Sequence, residues 1–193
     1  MYFHIYNRGN RKQDIFNDDA DRIRFLFIIL LFQFDAVIPK IKNILRDITC
    51  TEDLSKLIVQ PWRLTMSSKR LVKIHTFCLM PNHFHLGIEE LKPDSRSYYI
   101  MRVIDSYTKY FNHKYKLVGH VFQGSYKSKV ISDENYLSAL LEYIHNNPKK
   151  LDLEYGDLSL FPWSSYTDHI HKNRWGIFLD TSAVQPWRLN DLC

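Results

Sequence analysis

Polar and apolar residues alternate most clearly along residues 72–89, and the alternation predicts two adjacent strands. Val72-Lys73-Ile74-His75-Thr76-Phe77-Cys78 is rich in β-branched and aromatic residues. A second run passes through Phe84, Leu86 and Ile88, and Met80-Pro81-Asn82 supplies the turn between them. A shorter strand is predicted over Tyr2–Tyr6, ended by Asn7-Arg8-Gly9-Asn10, and another over Tyr126–Ile131. Helical spacing takes over elsewhere. Asp18 or Asp19 caps a helix reaching about Phe34, with Asp21 in its first turn. From about Arg96 to Lys116, Ile100, Val103, Ile104, Tyr107 and Phe111 recur at three- and four-residue steps. A last core helix follows Ser132, with Leu137, Leu140, Leu141 and Ile144 as its buried stripe and Pro148 as its stop.

Residues 35–70 carry weaker signals. Ile38-Pro39 breaks the first helix, and short helical turns fit Ile41–Leu45 and Glu52–Ile58. The hexapeptide Val59-Gln60-Pro61-Trp62-Arg63-Leu64 recurs at 184–189, with no role that its chemistry assigns. The resulting order is strand, helix, strand, strand, helix, strand, helix. It predicts an α+β, ferredoxin-like (split βαβ) antiparallel sheet with helices packed mainly on one face.

The length of 193 residues suits one domain, and 45% hydrophobic with 15% aromatic residues excludes a disordered chain. A net charge of +5 mildly favours an anionic partner such as nucleic acid. Cys50, Cys78 and Cys193 form neither a metal-binding pair nor a disulfide framework, which suits a reducing cytoplasm. The apolar run Phe25–Phe32 is too short to span a bilayer, so no membrane partner is expected.

Against this background a few residues stand out. His83 and His85 are two apart on a predicted strand, so both imidazoles share one face and Phe84 takes the other. Such a pair can converge on a divalent ion, although most pairs of this kind are ordinary surface or core histidines. On the last helix Tyr143 and Asn147 are four residues apart and share a face. A phenol and an amide presented to two histidines can serve phosphoryl transfer. The amide and imidazoles hold an ion that acts as a Lewis acid on a phosphate, and the phenolate attacks phosphorus. Tyr143 is equally one of twelve tyrosines and could simply pack a core helix. Arg8, Arg11 and Lys12 near the first strand, Lys109 on the long helix, and Lys127 and Lys129 on the last strand are candidate DNA contacts.

Asn7-Arg8-Gly9-Asn10, Met80-Pro81-Asn82-His83-Phe84-His85, Gly119-His120-Val121-Phe122-Gln123-Gly124, Tyr143-Ile144-His145-Asn146-Asn147-Pro148 and Pro162-Trp163-Ser164-Ser165-Tyr166 occur in that order. Together they resemble the HUH single-tyrosine transposases, in the branch of REP-associated tyrosine transposases, over roughly residues 2–34 and 71–168. The resemblance implies cleavage and rejoining of single-stranded DNA through a 5′-phosphotyrosine, with Mg²⁺ or Mn²⁺ and recognition of a DNA hairpin. It implies Tyr143 as nucleophile, His83 and His85 as metal ligands and Asn147 as a third. Departures are Asn147 where relatives outside the branch usually have Gln, Ser125 where an arginine often follows, and a longer link at 35–70. The domain is therefore expected over 1–168, with an insertion at about 35–70 bearing on hairpin preference or homodimer contacts, and a C-terminal extension at 169–193. A non-catalytic RRM-like nucleic-acid-binding module is the alternative, and it would need neither His-x-His nor the downstream tyrosine.

Overall fold

A computed structural model describes residues 1–35, 38, 40–59, 69–132, 134–151 and 157–182, with the side chains of Glu134 and Asn135 left aside. Four strands, β1 (Tyr2–Arg8), β2 (Val72–Met80), β3 (His83–Glu90) and β4 (Lys127–Ile131), form one sheet. Its order is β2-β3-β1-β4, and every neighbouring pair is antiparallel. This is the ferredoxin-like arrangement that the sequence predicts, with β3 and β1 at the centre. The expected turn at Pro81-Asn82 joins β2 to β3.

Strand parity divides the molecule. Phe3 and Ile5 of β1 and Phe84, Leu86 and Ile88 of β3 are buried on one face. There they meet α1 (Asp19–Leu31) and α4 (Ser95–Tyr115). Phe25 packs on Phe84, and Tyr99 donates its hydroxyl to the Ile29 carbonyl. The cap of α1 is the one expected, since the Asp18 side chain accepts from the Asp21 amide. Two short helices, α2 (Ile41–Ile44) and α3 (Thr51–Ile58), follow α1. Apart from Val59, both copies of the repeated hexapeptide lie outside the described residues.

The opposite face carries His4, Tyr6 and Arg8 of β1 and His83 and His85 of β3. It is covered by α5 (Glu134–His145), on the other side of the sheet from α1 and α4. Gly87 makes that approach possible. A Cβ there would sit 2.6 Å from Thr76 Cγ2 and 3.5 Å from Leu140 Cδ2. Residues 158–180 then run along β2, with α6 (Tyr166–Ile170) among them. The Leu79 amide donates to the Trp163 carbonyl, and the Ser165 and Asp180 amides donate to Phe77 and Ile74. Trp175 is fully buried, its indole N–H bound to Asp168, whose carboxylate also pairs with Arg174. Residues 169–180 therefore contribute to the core. Among the described residues no helix is long and apolar enough to cross a membrane.

Candidate active site

Three motif loops, far apart in sequence, are knitted together at one end of β1 and β3. The Gly9 amide donates to the Asn82 carbonyl, the Asn10 amide to Val121, and the Gln123 amide to Arg8. Asn7 adds a side-chain bond to the Gly124 carbonyl. Gly9 has no room for a side chain, because a Cβ would lie 2.0 Å from the Gln13 carbonyl oxygen. The knot holds Arg8 and Gln123 beside the histidines. In the β1–β3 register Arg8 lies opposite His83 and Tyr6 opposite His85.

The result is a cleft of about 460 Å³ on the α5 face, lined among others by Arg8, His83, His85, Lys127, Tyr143 and Lys150. The Tyr143 ring stands edge-on to His85, with centroids 5.6 Å apart, and to His4, at 5.7 Å. It is half-exposed, and its hydroxyl makes no hydrogen bond with the described residues. Tyr143 also separates the cleft from a neighbouring depression of about 410 Å³ that includes Lys129, Tyr136 and Leu140.

The histidines are neutral by construction. Burial, aided by the Arg8 and Lys150 charges, holds His83 down at about 4. Burial takes His85 to about 2, reinforced by His4, His83, Lys150 and Arg8. His4 sits at about 4, through burial and Lys129. Neutral imidazole is the form that donates to a metal. His83 Nδ1 lies 2.7 Å from Asn82 Oδ1, and His85 Nδ1 lies 2.9 Å from His4 Nε2. In the tautomer where each donates through Nδ1, Nε2 of both keeps its lone pair. These two side chains fit a divalent ion.

Asn147 is bound differently. The helix ends at His145, and Asn147 opens a 3₁₀ turn (Asn147–Lys150) in which its side chain is fully buried. Its Nδ2 donates to the Tyr143 and Ile144 carbonyls, satisfying the end of α5. Its Oδ1 accepts from Lys150 Nζ at 3.0 Å. In this arrangement the amide oxygen serves an ammonium, and no group of three or more His, Cys, Asp or Glu among the described residues is arranged to hold a metal.

The cations expected from sequence divide into separate groups. Arg8 and Lys127 line the cleft and Lys129 the adjoining depression. Arg11 and Lys12 are exposed in the loop after β1, both with positive φ. Lys109 is on the other face of the molecule, paired with Asp105 at 2.8 Å. Sequence reasoning passed over His4, Tyr6, Gln123 and Lys150. Gln123 lies inside the Gly119–Gly124 motif, so its signal was present, whereas His4 and Tyr6 reach the site through the β1–β3 register. Lys150 had none, because a 3₁₀ turn carries it back over the Tyr143 ring, 5.3 Å from the centroid.

A sequence model described as "Transposase IS200 like" matches residues 37–147, a span holding both histidines and Tyr143. The chain belongs to the IS200-like transposases. Among solved structures it is similar to a REP-associated tyrosine transposase bound to a REP hairpin, at 17% identity and a TM-score of 0.51. That likeness covers 95% of this chain and 87% of the other, and it establishes the shared fold. No curated protein matches the chain in sequence. As an IS200-like transposase, the chain has its general function in DNA transposition, and the cleft with Tyr143 is the candidate centre for cutting DNA.

Proposed function

We propose that this transposase cleaves and rejoins single-stranded DNA, using Tyr143 as nucleophile and a hairpin beside the cut as its address. The observation that carries the reading is the half-exposed, unbonded Tyr143 hydroxyl on the same face as two neutral histidines. Tyr143 Oη attacks the phosphorus and the bond to the 3′ oxygen breaks. The 5′ phosphate is left on tyrosine and a free 3′ hydroxyl is released. The phenolic proton goes to water and the departing oxygen gains one. Attack by another 3′ hydroxyl reverses these steps and frees Tyr143. His83 and His85 would hold Mg²⁺ or Mn²⁺, which supplies Lewis-acid polarisation of the scissile phosphate. Asn147 would join them as a third ligand only after Lys150 gives up its oxygen.

Arg8, Lys127 and Lys150 line the cleft and set positive charge around the position of the phosphate. The exposed tyrosines Tyr6 and Tyr136 line, with Tyr143, the depression adjoining the cleft, and aromatic residues beside basic ones suit unpaired bases. The hairpin in the similar solved structure supports the same substrate class.

The test is a denaturing gel of end-labelled DNA drawn from the native flanks, with Mg²⁺ or Mn²⁺. Wild type should give a covalent protein–DNA band that EDTA prevents. Tyr143→Phe should give none while melting within about 2 °C of wild type, as expected for an exposed substitution. A band persisting in Tyr143→Phe but lost in Tyr136→Phe would move the nucleophile. Absence of any band on a full panel of flanking hairpins would overturn the cleavage reading.

A further inference from the structure

A second concavity, of about 880 Å³, lies on the far side of the molecule, between α1, the 40–48 segment and the distal half of α4. Its floor is apolar, built from Ile23, Ile41, Leu45 and Ile48, and its walls are cationic. Arg24, Lys40, Lys42 and Arg46 line it, and among the described residues no carboxylate does. Two further lysines there are already neutralised, Lys109 by Asp105 and Lys114 by Asp18 and Asp21. The others are not. Among the described residues Lys40, Lys42 and Arg46 are exposed and form no side-chain hydrogen bond or ion pair. Arg24 is half-buried against the Tyr110 ring at 5.2 Å, and its buried Nε has no hydrogen-bond partner among the described residues. Charges concentrated in a groove and left without counter-charges form an anion site.

We propose that this groove binds the phosphate backbone of a paired DNA segment, separate from the strand in the Tyr143 cleft. The inference rests on the DNA-processing reading above and adds a second contact surface to it. Chemistry selects paired over unpaired DNA. A single strand is held by exposed aromatic faces alongside basic residues. Among the described lining residues the one tyrosine, Tyr110, is covered by Arg24, and its hydroxyl is tied to Asp21. What remains are long, mobile cations suited to phosphates and blind to bases. The groove depends on the 40–48 stretch, which gives that part of the link after α1 a task in DNA binding.

The decisive experiment compares wild type with the combined variant Lys40→Ala/Lys42→Ala/Arg46→Ala. Binding is titrated from about 50 to 300 mM salt against a hairpin and against a single strand without a stem. Each phosphate contact contributes roughly 0.9 to the slope of log affinity against log salt on duplex DNA. The variant should therefore lose about 2–3 from its hairpin slope and on the order of 10- to 100-fold in hairpin affinity. Its affinity for the stemless strand should change less than about twofold. Lys56→Ala/Lys92→Ala/Lys172→Ala removes the same charge from outside the groove, and its hairpin affinity should match wild type. Unchanged hairpin affinity and slope in the groove variant would overturn the proposal. So would equal losses on both DNAs, or equal losses in the control. A wild type that binds neither DNA would instead overturn the function on which it rests.

Discussion

Acid should unfold this protein earlier than its composition suggests, because its fold buries histidines in their neutral form. His145 is the clearest. It is 2% exposed, and Nε2 lies 2.9 Å from both Thr76 Oγ1 and Ser165 Oγ. Its buried Nδ1 has no hydrogen-bond partner among the described residues. Burial, with His169 nearby, pushes its pKa well below the ordinary value, and burial takes His85 to about 2. The sign follows from proton counting. These values are lowered by folding, so below about pH 6.5 the unfolded chain binds protons that the folded chain refuses. The contribution is complete above that pH and is lost as pH falls towards the folded values. Between pH 7.5 and 5.0 one such histidine costs about 2 kcal/mol, from 1.36 kcal/mol per unit over roughly 1.5 units. Of the cleft histidines only His85, the most depressed, is counted; His4 and His83, both held at about 4, add to the loss. For His85 together with His145 the loss is about 4 kcal/mol, a large part of a typical 5–15 kcal/mol stability. Thermal melts with EDTA present should show Tm falling by about 8–16 °C over this range. His145→Gln should be less stable at pH 7.5 yet lose about 2 kcal/mol less on acidification. A wild-type Tm that is flat from pH 7.5 to 5.0 would refute the reasoning, as would a variant with undiminished pH dependence.

Two further outcomes follow from close contacts around the site. Gly87→Ala drives a methyl against Thr76, which His145 and Ser165 hold in place, so overpacking of about 1–3 kcal/mol should lower Tm and reduce adduct yield together. An unchanged Tm would mean that α5 does not press on the sheet there. Asn147→Ala removes the bonds to two helix-end carbonyls and to Lys150, for a loss on the order of 2 kcal/mol in chemical denaturation. Covalent adduct should persist within about tenfold of wild type, whereas His83→Ala abolishes it; equal abolition would make Asn147 a ligand first and a cap second.

The parts of the molecule that were legible in sequence are those fixed by short-range periodicity. Alternation located β2 and β3, three- and four-residue steps located α4, and Asp18 marked the start of α1. The shared face of His83 and His85 followed from strand geometry alone. Asn147 shows where such reasoning stops. Four-residue spacing places it under Tyr143 only if the helix continues, but α5 closes at His145 and the amide turns inward to cap it. His4 and Tyr6 needed the β1–β3 register, which pairs residues some eighty positions apart. The 158–180 segment was illegible for the same reason, since its irregular backbone is fixed by bonds to β2 and not by any pattern of its own.

Those bonds to β2 govern how the protein can associate. A sheet of four strands has two open borders at which another chain could add itself by backbone pairing. Along β2 that border is already taken, with Trp163, Ser165 and Asp180 bonding to Leu79, Phe77 and Ile74. Along β4 it is short, and Lys127 and Lys129 lie on it, so a second copy would bring like charges together. Sheet-to-sheet addition is thus sealed on one side by the chain's own later residues and repelled on the other. Among the described residues, pairing of two copies is left to surfaces other than these two strand edges. Loss of the 158–180 segment would expose the long, buried edge of β2 and make it a template for aggregation.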